Sequence, residues 1–157
     1  MATPGKADPA IYPELRARAM QIRLPNLPQG AVHAVLMDWN VNNGTITVLA
    51  GADGSASLYL SSGGGFIGGG QRSDVIRDAA FHAVQVASGV LPLAAPAEGS
   101  PLPPRGDIFF YVVMSEGLQF ASAMEESLKA GSSPLAALGA AMQRIVTEYR
   151  LLSEKRS

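Results

Sequence analysis

From Ala31 to Leu60 the chain alternates polar and apolar residues with a period of two, and this alternation is broken only at two glycine-containing turns. Only extended strands repeat every second residue, so the segment is expected to fold as an antiparallel meander with one face buried. His33, Val35, Met37, Trp39 and Val41 fall on one side of the first strand; Ala34, Leu36, Asp38, Asn40 and Asn42 fall on the other. Asn43-Gly44 is a strong hairpin signal, because a type I′ turn needs positive φ at both central positions. A two-residue loop there sets Trp39 opposite Val48 and Val41 opposite Ile46, which adds Ile46, Val48 and Ala50 to the apolar side.

The second turn, at Asp53-Gly54, admits two registers. A two-residue loop pairs Ala52 with Ser55 and sends Leu58 and Leu60 to the polar side. A three-residue loop, 52–54, with Gly54 as the left-handed residue of a bulge, pairs Gly51 with Ser55 and brings both leucines beside Ile46 and Val48. A one-residue slip inverts every side chain. Burying two leucines is worth roughly 3–6 kcal/mol, more than the difference between common turns, so the bulged register is expected.

Helices flank this meander. Residues 1–10, rich in Pro, Ala and Gly, are expected to fray, leaving 11–157 as a single domain. A short helix starts near Pro13, with Leu15, Ala19 and Ile22 on its apolar face and Arg16, Arg18 and Arg23 as the polar complement; Pro25 and Pro28 end it. A second helix is expected from Ser73, a good N-cap, to Ser88. Its apolar side carries Val75, Ile76, Ala79, Ala80, Ala83, Val86 and Ala87, small enough for close approach to a sheet. Residues 89–106 are Pro-rich and read as a loop. Residues 107–114 form a strand apolar on both sides. A three-residue loop, 115–117, is expected to lead into a fifth strand, 118–123, with Leu118 and Phe120 beside Met114 and Val112. Ser133-Pro134 opens the clearest helix, whose stripe is Leu135, Leu138, Met142, Ile145, Tyr149 and Leu152.

The expected fold is therefore α+β: a five-stranded, mainly antiparallel sheet in the order α-β-β-β-α-β-β-α. That order of elements resembles the secretion-chaperone-like fold and, less closely, the profilin and roadblock group. The resemblance lies in topology alone. It implies a dimeric binding protein without catalysis.

Charge narrows the function further. The chain has 12 basic and 13 acidic residues, a net charge of -1. No basic residue lies between Arg23 and Arg72, where Asp38 and Asp53 are the only charges. A nucleic-acid groove or an anionic membrane needs Lys or Arg along its surface, so neither is expected as a partner. Zero Cys excludes disulfides and thiolate chemistry. The first residues lack the apolar core of a signal peptide, and no uncharged stretch is apolar enough to span a bilayer, so a cytoplasmic location is expected. The two histidines, His33 and His82, have no metal-ligand spacing, and no metal or cofactor is expected. Asp38 reads as a solvated carboxylate on the less apolar sheet side, and Glu125-Glu126 as a solvated turn or frayed helix.

Two features carry functional expectations. Gly63-Gly64-Gly65-Phe66-Ile67-Gly68-Gly69-Gly70 matches G-x-G-x-x-G between a strand and a helix. Such a loop can hold an anion on its amides, and Gly63, Gly64, Gly65, Gly68, Gly69, Gly70, Arg72 and Ser73 are the ligand-binding candidates. The strand is the third of a meander rather than the first of a βαβ unit, and no Gly-Lys-Ser/Thr follows, which favours a tightly turned connection over a nucleotide site. The second feature is surplus apolar surface. Phe81 falls among polar residues of its helix, and Leu36, Leu49, Tyr59, Phe109, Tyr111 and Val113 make the second sheet side greasier than a free surface. Either the first helix or the Pro-rich loop covers that side, or it meets a partner. Phe66 and Ile67, between glycine triplets, also read as an apolar tip. The interface candidates are Phe66, Ile67, Phe81, Tyr59, Phe109 and Tyr111. The expected function is an oligomeric, non-enzymatic interaction or adaptor module acting as a homodimer or on a protein partner; the rival is a small-molecule anion or nucleotide binder using the glycine loop.

Overall fold

The computed structural model describes residues 11–41 and 44–154. Helix α1 (Tyr12–Ala19) precedes a meander of β1 (Val32–Val41), β2 (Gly44–Gly51), β3 (Ala56–Leu60) and the short β4 (Gly65–Ile67). A one-turn α2 (Gly69–Arg72) leads into α3 (Asp74–Val90). A 3-10 turn (Leu91–Leu93) and the two-residue β5 (Ala95–Pro96) follow, then β6 (Asp107–Met114), β7 (Gly117–Met124), α4 (Glu125–Ala130) and α5 (Ala136–Glu154). The strands form one antiparallel sheet in the order β4-β3-β2-β1-β6-β7-β5. The class is α+β as expected, but the sheet has seven strands rather than five. The two additions are edge strands of three and two residues. They lie in Gly-rich and Pro-rich sequence, where no alternation could mark them.

The meander keeps the expected sides. Ile46 pairs with Leu60 and Val48 with Leu58. Gly51 N donates to Ser55 O at 2.8 Å, and Gly54 has φ +85°, so the bulged register holds. At the first turn the pairing is shifted from expectation: Val41 faces Gly44, Trp39 faces Ile46 and Met37 faces Val48. The shift is one residue on each strand, so the sides are unchanged. Gly44 opens β2, and it is a glycine there because a Cβ would lie 2.2 Å from Ser61 Oγ, which accepts from Thr45 N. The turn conformation expected at Asn43-Gly44 rests on residues 42–43, which lie outside those described.

The second hairpin corrects the expectation. Met114 pairs with Gly117, Val113 with Leu118 and Tyr111 with Phe120. The loop is two residues, and Leu118 and Phe120 therefore point to the second sheet side. β6 is apolar on both sides, so it offers no polar side to set the register, whereas Ser57 and Ser61 mark one at Leu58 and Leu60. Phe120 instead packs against Phe109 edge-on, with ring centroids 4.9 Å apart, and against Tyr111 at 5.3 Å.

Two cores result. The main one lies between the sheet and α3 with α5: Val35, Met37, Val48, Leu58, Phe110 and Val112 meet Ile76, Ala79, Ala83, Leu138, Met142, Ile145 and Tyr149. The alanines of α3 allow its close approach, and Ser73 caps it by accepting from Ile76 N. Val75, expected on the apolar stripe, is exposed. The second core lies under α1 and residues 97–103, where Tyr12, Ala19 and Met20 cover Leu36, Leu49, Tyr59, Tyr111 and Val113. A register shift between Val32 and Ala34 brings Val32 into the main core. His33, expected on that side, bonds the α1–β1 connection instead, its Nδ1 accepting from Leu24 N at 2.8 Å.

Candidate functional site

The glycine loop is tightly packed. A Cβ on Gly65 would lie 2.1 Å from Leu58 O, one on Gly70 2.0 Å from Gly54 O, and one on Gly69 2.4 Å from Tyr149 Oη. Gly63 N donates to Leu60 O, Gln71 N to Gly68 O, and Ser73 N to Gly69 O. Gly69 N donates to the Tyr149 hydroxyl at 2.8 Å, and that hydroxyl donates to Ala56 O at 2.5 Å. Burial, partly offset by the Gly69 amide, pushes the Tyr149 phenol up to about 12. Phe66 stacks on Tyr149 at 5.2 Å. These glycines thus let the loop close against β3 and α5, and several amides an anion would use already have partners. Arg72 is exposed, Ser73 serves α3, and Gly64 and Gly68 complete the turn with positive φ.

The interface candidates separate. Tyr59 and Tyr111 are buried and Phe109 is half-buried within the second core, so the two tyrosines form no surface. Phe66 is held on Tyr149, while its neighbour Ile67 is 58% exposed on the sheet edge. Phe81, 44% exposed, lies on α3 above the Gly54 turn.

Under α1 lies a polar network that overturns two expectations. Asp38 is fully buried, not solvated, and Arg16 is buried, not part of a polar helix face. Arg16 Nε and Nη2 lie 3.1 and 2.5 Å from Asp38 Oδ2. Arg16 also donates to Ser100 O and Pro101 O, and its guanidinium lies 5.4 Å from the Tyr111 ring centroid. Thr47 donates to Asp38 Oδ1 at 2.6 Å, so the Tyr12 hydroxyl, 2.6 Å from Thr47 Oγ1, donates to it. Burial opposes the Arg16 charge, but the hydrogen bonds and charge of Asp38 outweigh it and raise the guanidinium pKa above its usual value. One side chain therefore ties α1, the central strand and residues 100–101 together.

The open concave surface gathers at the junction of β7 and α4. One groove of about 570 Å³ is lined by Trp39, Asn40, Val41, Arg105, Gly106, Met124, Glu125, Glu126 and Lys129. A second, about 400 Å³, runs past Leu93, Ala121, Met124, Ser127 and Ser133. A third, about 390 Å³ and mainly apolar, lies between α4, α5 and the sheet. Trp39 Nε1 donates to Glu125 Oε1 at 3.0 Å, and Lys129 Nζ lies 2.8 Å from Glu125 Oε2. Lys129 first, then the indole N–H, hold the Glu125 carboxyl below the usual carboxylate range. Met124, 58% exposed, stands between the first two grooves. None of Met124, Glu125, Lys129 or Trp39 carries a sequence motif; they meet only because β1 and β7 end on the same side of the sheet.

Among the described residues, no group of three or more His, Asp or Glu is placed to hold a metal ion, and no helix is long and apolar enough to cross a membrane. No family model matches the chain, and no characterised protein or solved structure is significantly similar to it.

Proposed function

We propose that this chain is an interaction module that pairs with a second copy of itself around the β7–α4 junction. The observation that carries this reading is Met124: a large apolar side chain, 58% exposed, flanked by grooves on either side that it also lines. A two-fold interface is self-complementary, so one patch must carry both the knob and the hole. A methionine ridge beside its own grooves meets that requirement, and its flexible thioether adapts to an irregular slot. The secretion-chaperone-like order of the long elements implies a dimeric binder, and a dimer built here leaves the α3 surface with Phe81 free for a protein partner.

Sedimentation velocity tests the reading. The wild-type chain is expected to sediment as a dimer at micromolar concentration, and Met124→Glu as a folded monomer. A strictly monomeric wild type, or a dimer indifferent to Met124→Glu, overturns it.

A further inference from the structure

The mainly apolar groove between α4, α5 and the sheet is not lined by Met124, and it shares Trp39, Glu125 and Lys129 with the first groove. Met37, Trp39, Ile108, Leu128, Gly139 and Ala140 supply its apolar lining, and Gln143, Glu125 and Lys129 its polar lining. We propose that it is a binding site for a small neutral molecule, mainly hydrocarbon, carrying a single hydrogen-bonding group. Its volume of about 390 Å³ lies at the small end of ligand sites.

The charge pattern selects a neutral occupant. The two charged side chains at the groove already satisfy each other, with Lys129 Nζ 2.8 Å from Glu125 Oε2, and the second carboxylate oxygen takes the Trp39 indole N–H. An ion entering the groove would lose water and find these charges already paired, which is unfavourable. The Gln143 amide offers both a donor and an acceptor to a neutral polar group. Trp39 is half-buried and held by its ring nitrogen, so its indole is a fixed apolar wall. Gly139 and Ala140 line the groove with the smallest of its side chains. Glycine within a helix is less favourable than alanine, and a Cβ on Gly139 would meet Leu128 Cδ1 at 3.3 Å.

Trp39 is the chain's single tryptophan and lines both this groove and the first, so its emission is read together with a variant at Ala140, which lines this groove and not the first. The probes are benzyl alcohol, benzoate and benzylammonium, titrated into the full chain with excitation selective for tryptophan. Benzyl alcohol is expected to give a saturable change in emission and a rise in Tm, with the two ions at least tenfold weaker. Ala140→Leu fills the groove from an exposed helix position and is expected to weaken benzyl alcohol at least tenfold while leaving the folded circular dichroism unchanged. Gln143→Met is expected to remove the preference for benzyl alcohol over toluene. Equal or tighter binding of either ion, no saturable response to benzyl alcohol, or undiminished binding by folded Ala140→Leu overturns the proposal. Repeating the titration on Met124→Glu separates this result from the oligomeric one, since that side chain does not line the groove.

Discussion

Removing the Asp38 carboxylate should be among the most damaging single changes in the chain. In Asp38→Ala the Arg16 guanidinium stays buried but keeps only the carbonyls of Ser100 and Pro101, at 2.7 and 3.3 Å, and the Tyr111 ring beneath it. Breaking a buried ion pair from one side costs about 3–5 kcal/mol, because the remaining charge is left uncompensated. Thr47 loses its acceptor as well but keeps the Tyr12 hydroxyl as a partner. Against a typical domain stability of about 5–15 kcal/mol, the loss is large. Urea slopes for small domains are about 1–3 kcal/mol per molar, so the unfolding midpoint should fall by about 2 M. Equilibrium urea unfolding, followed by both Trp39 emission and far-ultraviolet circular dichroism, measures it. The double variant Arg16→Met with Asp38→Leu removes both charges and should recover most of the loss, since apolar replacement of a buried pair is often neutral or stabilising. A loss below about 1 kcal/mol for Asp38→Ala, or a double variant no better than the single, would refute the claim that α1 is docked by a desolvated ion pair.

Further outcomes follow from the same structure. Tyr149→Phe leaves Ala56 O and Gly69 N without their buried partner and should cost about 2–4 kcal/mol by urea unfolding. The folded-state pKa of Tyr149 is raised to about 12, above the unfolded value of about 10. Its contribution is therefore complete below pH of about 10 and lost as pH rises through about 12, and Tyr149→Phe should flatten that part of the alkaline stability profile. Gly70→Ala drives a Cβ into Gly54 O and should destabilise by about 1–3 kcal/mol. By contrast Gly89→Ala, in open space within α3, should stabilise by about 0.5–1 kcal/mol; thermal melts compare the two, and equal effects would argue against a packed glycine loop. Phosphate and ATP should leave the melting temperature unchanged, and a saturable rise abolished by Arg72→Ala would restore the anion-binding reading.

The legible parts of the fold are those where one register buries more than another. Leu58 and Leu60 could be placed because Ser57 and Ser61 alternate with them, so the polar residues of β3 mark the side the leucines leave. Leu118 and Phe120 could not, because β6 is apolar on both sides and α1 with residues 97–103 roofs the second. The hidden ion pair left a readable trace: Asp38 is the lone charge between Arg23 and Asp53, set in the middle of an alternating strand. A carboxylate there must find a cation, and the three arginines of 16–23 were the nearest in sequence. The β7–α4 junction left no such trace. Trp39 and Glu125 lie 86 residues apart, and their meeting depends on where two strands end rather than on any local pattern.

The Tyr149 hydroxyl joins Ala56, 93 residues earlier, to Gly69, 80 residues earlier. During synthesis the meander emerges long before that phenol does, and at about 5–20 residues per second the delay is several seconds. Throughout that interval Val48, Leu58 and Phe66 lack the side chains of α5 that later seal them. The sheet side that α5 later covers therefore stays open until the segment carrying Tyr149 clears the exit tunnel.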